Sequence, residues 1–119
     1  MDLNKVLVID DDDEILDVLK DILEDQNYTV VTAGDGNEGL KVFLSERPRL
    51  VITDLIMPSL DGIGLIKKIK EIDQIPVLCV SSGASKTMLE EADSLSVNFI
   101  FPKPFELDFF IKTVRAIMA

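Results

Sequence analysis

Five polar residues stand where apolar runs stop: Asp10 and Asp11, Asp54, Ser81 and Lys103. Asp10 and Asp11 end Lys5-Val-Leu-Val-Ile9, Asp54 ends Leu50-Val-Ile-Thr53, Ser81 ends Pro76-Val-Leu-Cys-Val80, and Lys103 follows Val97-Asn-Phe-Ile-Phe101. Carboxylates that converge repel one another, by roughly 4 kcal/mol for a pair about 4 Å apart at an effective dielectric near 20. Such a cluster calls for a cation. An all-oxygen donor set selects Mg²⁺, and Mn²⁺ also fits. A divalent ion beside a carboxylate suits phosphoryl transfer, because it neutralises charge on the transferring oxygens. Asp54 is then the nucleophile that forms an acyl phosphate. Lys103 supplies a point charge to a phosphoryl oxygen, and Ser81 a hydroxyl donor. Each residue also has an ordinary reading: Asp10–Asp13 as charge at a helix start, Asp54 and Ser81 as turn residues, Lys103 as a solvated surface lysine.

The elements that would position these groups follow from periodicity. The four runs just named and Thr29-Val-Val-Thr-Ala33 are short, apolar and rich in β-branched residues, as strands buried on both faces are. Between them recur helical spacings. Ile15, Val18, Leu19, Ile22 and Leu23 form one stripe, fading near Asn27, and Leu40, Val42, Phe43 and Leu44 a second. Ile63, Ile66 and Ile69 mark a third helix over 62–71, and Met88, Leu89 and Ala92 a weaker fourth over 85–93. Leu107, Phe110, Ile111, Val114 and Ile117 mark a last one over 105–118. Asp11 with Glu14, and Asp35 with Glu38, have capping-box spacing. Strict alternation of strand and helix predicts an α/β protein with a parallel sheet covered on both faces, open because a closed eightfold barrel needs about twice the length. All strands then end on one edge, where such sheets hold their ligands.

Composition narrows the chemistry. Apolar residues make 47% of the 119-residue chain and charged residues 29%, which suits one globular domain over 1–119 without an internal linker or repeat. A net charge of −10 argues against a nucleic-acid surface. No apolar run is long enough to span a membrane, and no signal-peptide pattern opens the chain. The lone Cys79 excludes an internal disulfide and sits in an apolar strand as inert core, so a cytoplasmic setting is expected. Histidine is absent, which excludes zinc–histidine sites, serine–histidine triads and a phosphohistidine within this chain.

Four motifs taken in order resemble the receiver domain of two-component response regulators from end to end. They are Val6-Leu-Val-Ile-Asp-Asp11, Asp54-Leu-Ile-Met-Pro-Ser-Leu-Asp-Gly62, Pro76-Val-Leu-Cys-Val-Ser81 and Phe101-Pro-Lys-Pro-Phe105. The resemblance implies a flavodoxin-like (βα)5 sheet of strand order 2-1-3-4-5. It implies Asp54 as phosphoacceptor, Asp11 as a direct Mg²⁺ ligand and Asp10 as a carboxylate positioning the ion. The backbone carbonyl of Ile56 becomes a further ligand, Ser81 the switch hydroxyl and Lys103 the phosphoryl-binding lysine, with a cis Lys103–Pro104 bond. It also implies a sensor histidine kinase or histidine phosphotransfer protein as donor. An output domain, a downstream protein or a second copy on phosphorylation would then meet the face of the fourth helix, fifth strand and last helix. Two positions depart from the family pattern. Ile100 stands where an aromatic residue often couples to the switch hydroxyl, and Ile56 where some members carry a polar residue that affects phosphoryl loss. Two other readings compete. A Mg²⁺-dependent phosphatase with an aspartyl nucleophile usually places an acid two residues on, where this chain has Ile56. A degenerate receiver acting only as a binding surface would not need the complete acid, hydroxyl and lysine set.

Overall fold

The apolar strands sort their residues by parity. In the computed structural model, which describes residues 3–119, Val6 and Val8 face one core and Leu7 and Ile9 the other. Leu50 and Ile52 likewise part from Val51, and Leu78 and Val80 from Val77 and Cys79. A strand turns successive side chains to opposite faces, so a continuous apolar run is stable only with helices on both sides. The elements are β1 (Lys5–Ile9), α1 (Asp13–Asp25), β2 (Thr29–Ala33), α2 (Gly36–Glu46), β3 (Leu50–Thr53), α3 (Gly62–Ile72), β4 (Val77–Ser81), α4 (Lys86–Ser94), β5 (Phe99–Pro102) and α5 (Leu107–Met118). The five strands are parallel in the order β2-β1-β3-β4-β5, as expected. Leu16, Leu19 and Leu23 of α1 and Phe110, Val114 and Met118 of α5 close one face. Phe43 of α2, the α3 residues Ile63, Leu65, Ile66 and Ile69, and Ala92 of α4 close the other.

Several local expectations shift. The α1 cap is Asp12, whose carboxylate accepts from the Glu14 amide at 3.0 Å, in place of an Asp11–Glu14 box. The cause lies one residue earlier: Asp10 Oδ1 accepts from the Asp12 amide at 3.0 Å and sets the turn. Val18 is exposed and Leu16 buried, because Leu16, Leu19 and Leu23 repeat on the sheet-facing side while Ile15, Val18 and Ile22 line a groove with Pro104, Phe105 and Leu107. At α2, Asp35 caps the Glu38 amide at 2.8 Å, but the Glu38 carboxylate reaches back to Gly34 and not to Asp35. β5 starts at Phe99, two residues late. Ser96 has a positive φ of 63°, and Asn98 brackets Val77, giving its own amide to the Val77 carbonyl and accepting the Val77 amide on its side chain. α5 begins at Leu107, leaving Pro104 and Phe105 in the loop.

Candidate functional site

β1 and β3 are neighbours with their helices on opposite faces, so the crevice between their C-terminal ends is the switch point of the sheet. Asp10 follows β1 and donates its amide to the Ala33 carbonyl at 3.2 Å. Asp54 follows β3, and its amide donates to the Ile9 carbonyl at 3.1 Å. Both continue the ladder by one residue, so their carboxylates are carried by backbone hydrogen bonds and not by loose loop. Ser81 is the last residue of β4 and pairs with Pro102 of β5. The Lys103 amide donates to the Ser81 carbonyl at 3.0 Å. The Lys103–Pro104 bond is cis, as the resemblance implies.

The side chains close on one another. Asp54 Oδ1 accepts from Ser81 Oγ and from the Ile56 amide, each at 3.0 Å. Its Oδ2 accepts from Lys103 Nζ at 3.0 Å, and the same ammonium donates to Asp10 Oδ2 at 2.8 Å. Oxygen atoms of Asp10, Asp11 and Asp54 lie within 4.8 Å of one another. Asp10, Asp54 and Ser81 are buried and Asp11 is exposed. At that separation the buried Asp10–Asp54 pair costs roughly 3.5 kcal/mol at an effective dielectric near 20, a repulsion that Lys103 offsets. Burial pushes the Asp10 carboxyl above its usual range, against the opposing pull of its bonds to Lys103 and the Asp12 amide. Burial also pulls down on the Lys103 ammonium, but its bonds to Asp10 and Asp54 outweigh that and hold it above the usual lysine range. Three carboxylates with one exposed member suit a hard divalent ion that keeps part of its water shell.

The structure brings together Asp10, Asp11, Asp54, Ser81 and Lys103. The Ile56 side chain is 44% exposed, at the mouth of the site. Ile100 is half-buried against the α2–α3–α4 core. Sequence reasoning missed two supports. Asp12 takes over the helix cap, so Asp11 is left to face the carboxylate cluster. Gly62 sits where a Cβ would overlap the Asp54 carbonyl and the Leu55 backbone, while its amide donates to the Leu55 carbonyl at 3.1 Å. Its signal in the sequence is the Asp61-Gly62 pair that opens the helix over 62–71. Asp61 does cap α3, accepting from the Gly64 amide at 2.8 Å.

A family model for the response regulator receiver domain matches residues 6–115. The chain belongs to that family. Among its relatives, sporulation initiation phosphotransferase F of Bacillus subtilis is 32% identical over 105 residues, covering 87% of this chain and 85% of its own length. Transcriptional regulatory protein CpxR of Escherichia coli is 31% identical over 116 residues, 98% of this chain. The chain spans about half the length of CpxR, 50% by the aligned region. The crystal structure of the Vibrio cholerae chemotaxis protein CheY4 superposes with a TM-score of 0.87 at 28% identity, covering 95% of this chain and 97% of that one. The Asp10, Asp11 and Asp54 cluster of this receiver domain fits the Mg²⁺ site of the family. Among the described residues, no helix is long and apolar enough to cross a membrane.

Proposed function

We propose that this receiver domain, a single domain over residues 1–119, accepts a phosphoryl group on Asp54 and changes its surface in response. The observation that carries this reading is the double tethering of the Asp54 carboxylate. One oxygen is held by Ser81 Oγ and the Ile56 amide, the other by Lys103 Nζ, beside Asp10 and Asp11. A carboxylate fixed in this way presents its oxygen to an incoming phosphorus without paying for orientation at the moment of reaction. The Asp54 oxygen forms the new O–P bond as the donor's bond to phosphorus breaks and the leaving group takes up a proton from solvent. Lys103 and Ser81 already lie within bonding distance of the reacting carboxylate and turn to the phosphoryl oxygens once the acyl phosphate forms. Asp10, Asp11, Asp54 and the Ile56 carbonyl would hold Mg²⁺ (or Mn²⁺), whose chemistry there is to neutralise charge on the transferred oxygens.

These 119 residues hold no histidine, so a phosphohistidine donor lies outside them, on a sensor histidine kinase or a histidine phosphotransfer protein. The reading places the protein in the cytoplasm, where such donors present their phosphohistidines. Output goes through the α4–β5–α5 face, to an output domain, a downstream protein or a second copy. Ser81 and Lys103 lie at the loops entering α4 and α5, and α4 has only Ala92 fully buried, so it is the helix most readily moved. Incubation with acetyl phosphate and Mg²⁺, followed by intact-mass and peptide mapping, tests the assignment. The wild type gains one phosphoryl group on the peptide holding Asp54, and Asp54→Asn gains none. A label on any other residue overturns it.

A further inference from the structure

At the opposite edge of the sheet, where β3 begins, the chain carries Arg47-Pro48-Arg49. These are two of the three arginines in a protein of net charge −10. With Phe43, Pro48, Asp73, Gln74, Ile75 and Pro76 they line a cavity of about 380 Å³, in which Phe43 and Pro48 are buried and Ile75 and Pro76 half-buried. Arg49 and Asp54 are five residues apart on one extended strand, about 16 Å. The cavity is therefore separate from the phosphoacceptor site.

Three features distinguish these arginines from ordinary surface charge. Arg47 has φ 47° and ψ 62°, the left-handed region that favours glycine, at the end of α2. An arginine stands there although glycine would adopt that backbone more easily. Its guanidinium lies over the Phe43 ring at 5.9 Å, and among the described residues it has no carboxylate partner within ion-pair distance. Arg49 donates from Nη1 to the Leu3 carbonyl at 3.1 Å, which anchors the side chain and leaves further N–H donors. Among the described residues neither arginine is in ion-pair contact with Asp73, which lines the same cavity.

We propose that this cavity binds a small organic anion, with a phosphate or carboxylate head on Arg47 and Arg49 and an apolar body of about one ring against Phe43, Pro48, Ile75 and Pro76. Guanidinium forks match both head groups in bidentate fashion, and the walls exclude water from the body. The proposal is independent of the phosphoacceptor reading, and the two fail separately.

The test is residue-resolved amide titration of the full chain with phenyl phosphate and benzoate, beside inorganic phosphate and neutral benzyl alcohol. Arg47→Gly suits the left-handed backbone and keeps the fold, and Arg49→Gln keeps the length of the side chain. At least one of the two aryl anions is expected to shift amides around Phe43–Arg49 and Asp73–Pro76, and which of them binds better identifies the head group. Each variant is expected to weaken that binding about tenfold, the scale of one lost charge-assisted bond. Inorganic phosphate and benzyl alcohol are expected to bind more weakly than the aryl anion. No shift at these residues, shifts confined to the surroundings of Asp54 and Lys103, or wild-type affinity in both variants would overturn the proposal. Equal affinity for inorganic phosphate would remove the apolar body from it.

Discussion

Replacing Lys103 by Met removes the cation that bonds both buried carboxylates of the cluster. The neutral side chain keeps most of the apolar stem. Two charge-assisted hydrogen bonds are lost, to Asp10 at 2.8 Å and to Asp54 at 3.0 Å, each of which contributes about 1.5–3 kcal/mol in general. The lysine side chain is 19% exposed, so solvent screens part of this, and a loss of about 2–4 kcal/mol is expected without metal. For 119 residues the unfolding entropy near the midpoint is about 0.25 kcal/mol/K, so Tm should fall by roughly 8–16 °C. The same variant should bind Mg²⁺ more tightly, because the ion no longer competes with the ammonium for Asp10 Oδ2. The two effects are linked: ligand that binds only the folded state restores stability by mass action. Thermal unfolding followed by circular dichroism, in EDTA and then across a Mg²⁺ titration, measures both. The gap between wild type and Lys103→Met should narrow as Mg²⁺ rises. A gap of equal size in EDTA and at saturating Mg²⁺, or no gap in EDTA, would show that the lysine does not neutralise the carboxylates.

Three further outcomes are expected. Burial, with a smaller contribution from the Asp54 charge, pushes the Cys79 thiol from 9.0 up to about 12. A raised folded pKa means stability is complete below pH 9 and falls between 9 and 12, by about 1.36 kcal/mol per pH unit; urea midpoints should show that decline in the wild type and a shallower one in Cys79→Ala, and matching slopes would contradict it. Gly62→Ala forces a methyl into the backbone at Asp54 and Leu55, so it should cost on the order of 1–3 kcal/mol and slow acetyl phosphate labelling, whereas an unchanged labelling rate would separate the glycine from the site. Asn98→Ala strands the buried Val77 amide and should cost about 1–2 kcal/mol, seen in denaturation and in faster exchange at Val77, with no change at Asp54.

The site was legible because its chemistry sits at strand ends, and strand ends are marked by the abrupt stop of an apolar run. Asp10, Asp54 and Ser81 each follow or close such a run, and the strand order brings them to one crevice. What stayed hidden depends on geometry finer than periodicity. Asp11 and Asp12 are identical in type, and only the Asp10 carboxylate on the Asp12 amide decides which caps α1 and which faces the cluster. The α1 stripe was broad enough to admit two registers, so Val18 and Leu16 exchanged places between core and surface. The start of β5 was set by Asn98 bonding across to Val77, a contact between residues 21 apart that no local pattern announces. Gly62 and the left-handed Arg47 belong to the same class, since both are explained only by what the backbone must approach or adopt.

The ion pair between Lys103 and Asp10 joins residues 93 apart in the chain. Its lysine enters from the strand at one edge of the sheet, its aspartate from β1 near the other. Closing so long a loop carries an entropic cost that must be met before the ion pair contributes. A nascent chain, or a fragment cut before β5, therefore holds Asp54 without its cation and with its acids in mutual repulsion. The site is complete only when the edge strand β5 lies on β4, so an intact reactive centre also certifies that the whole sheet is in place.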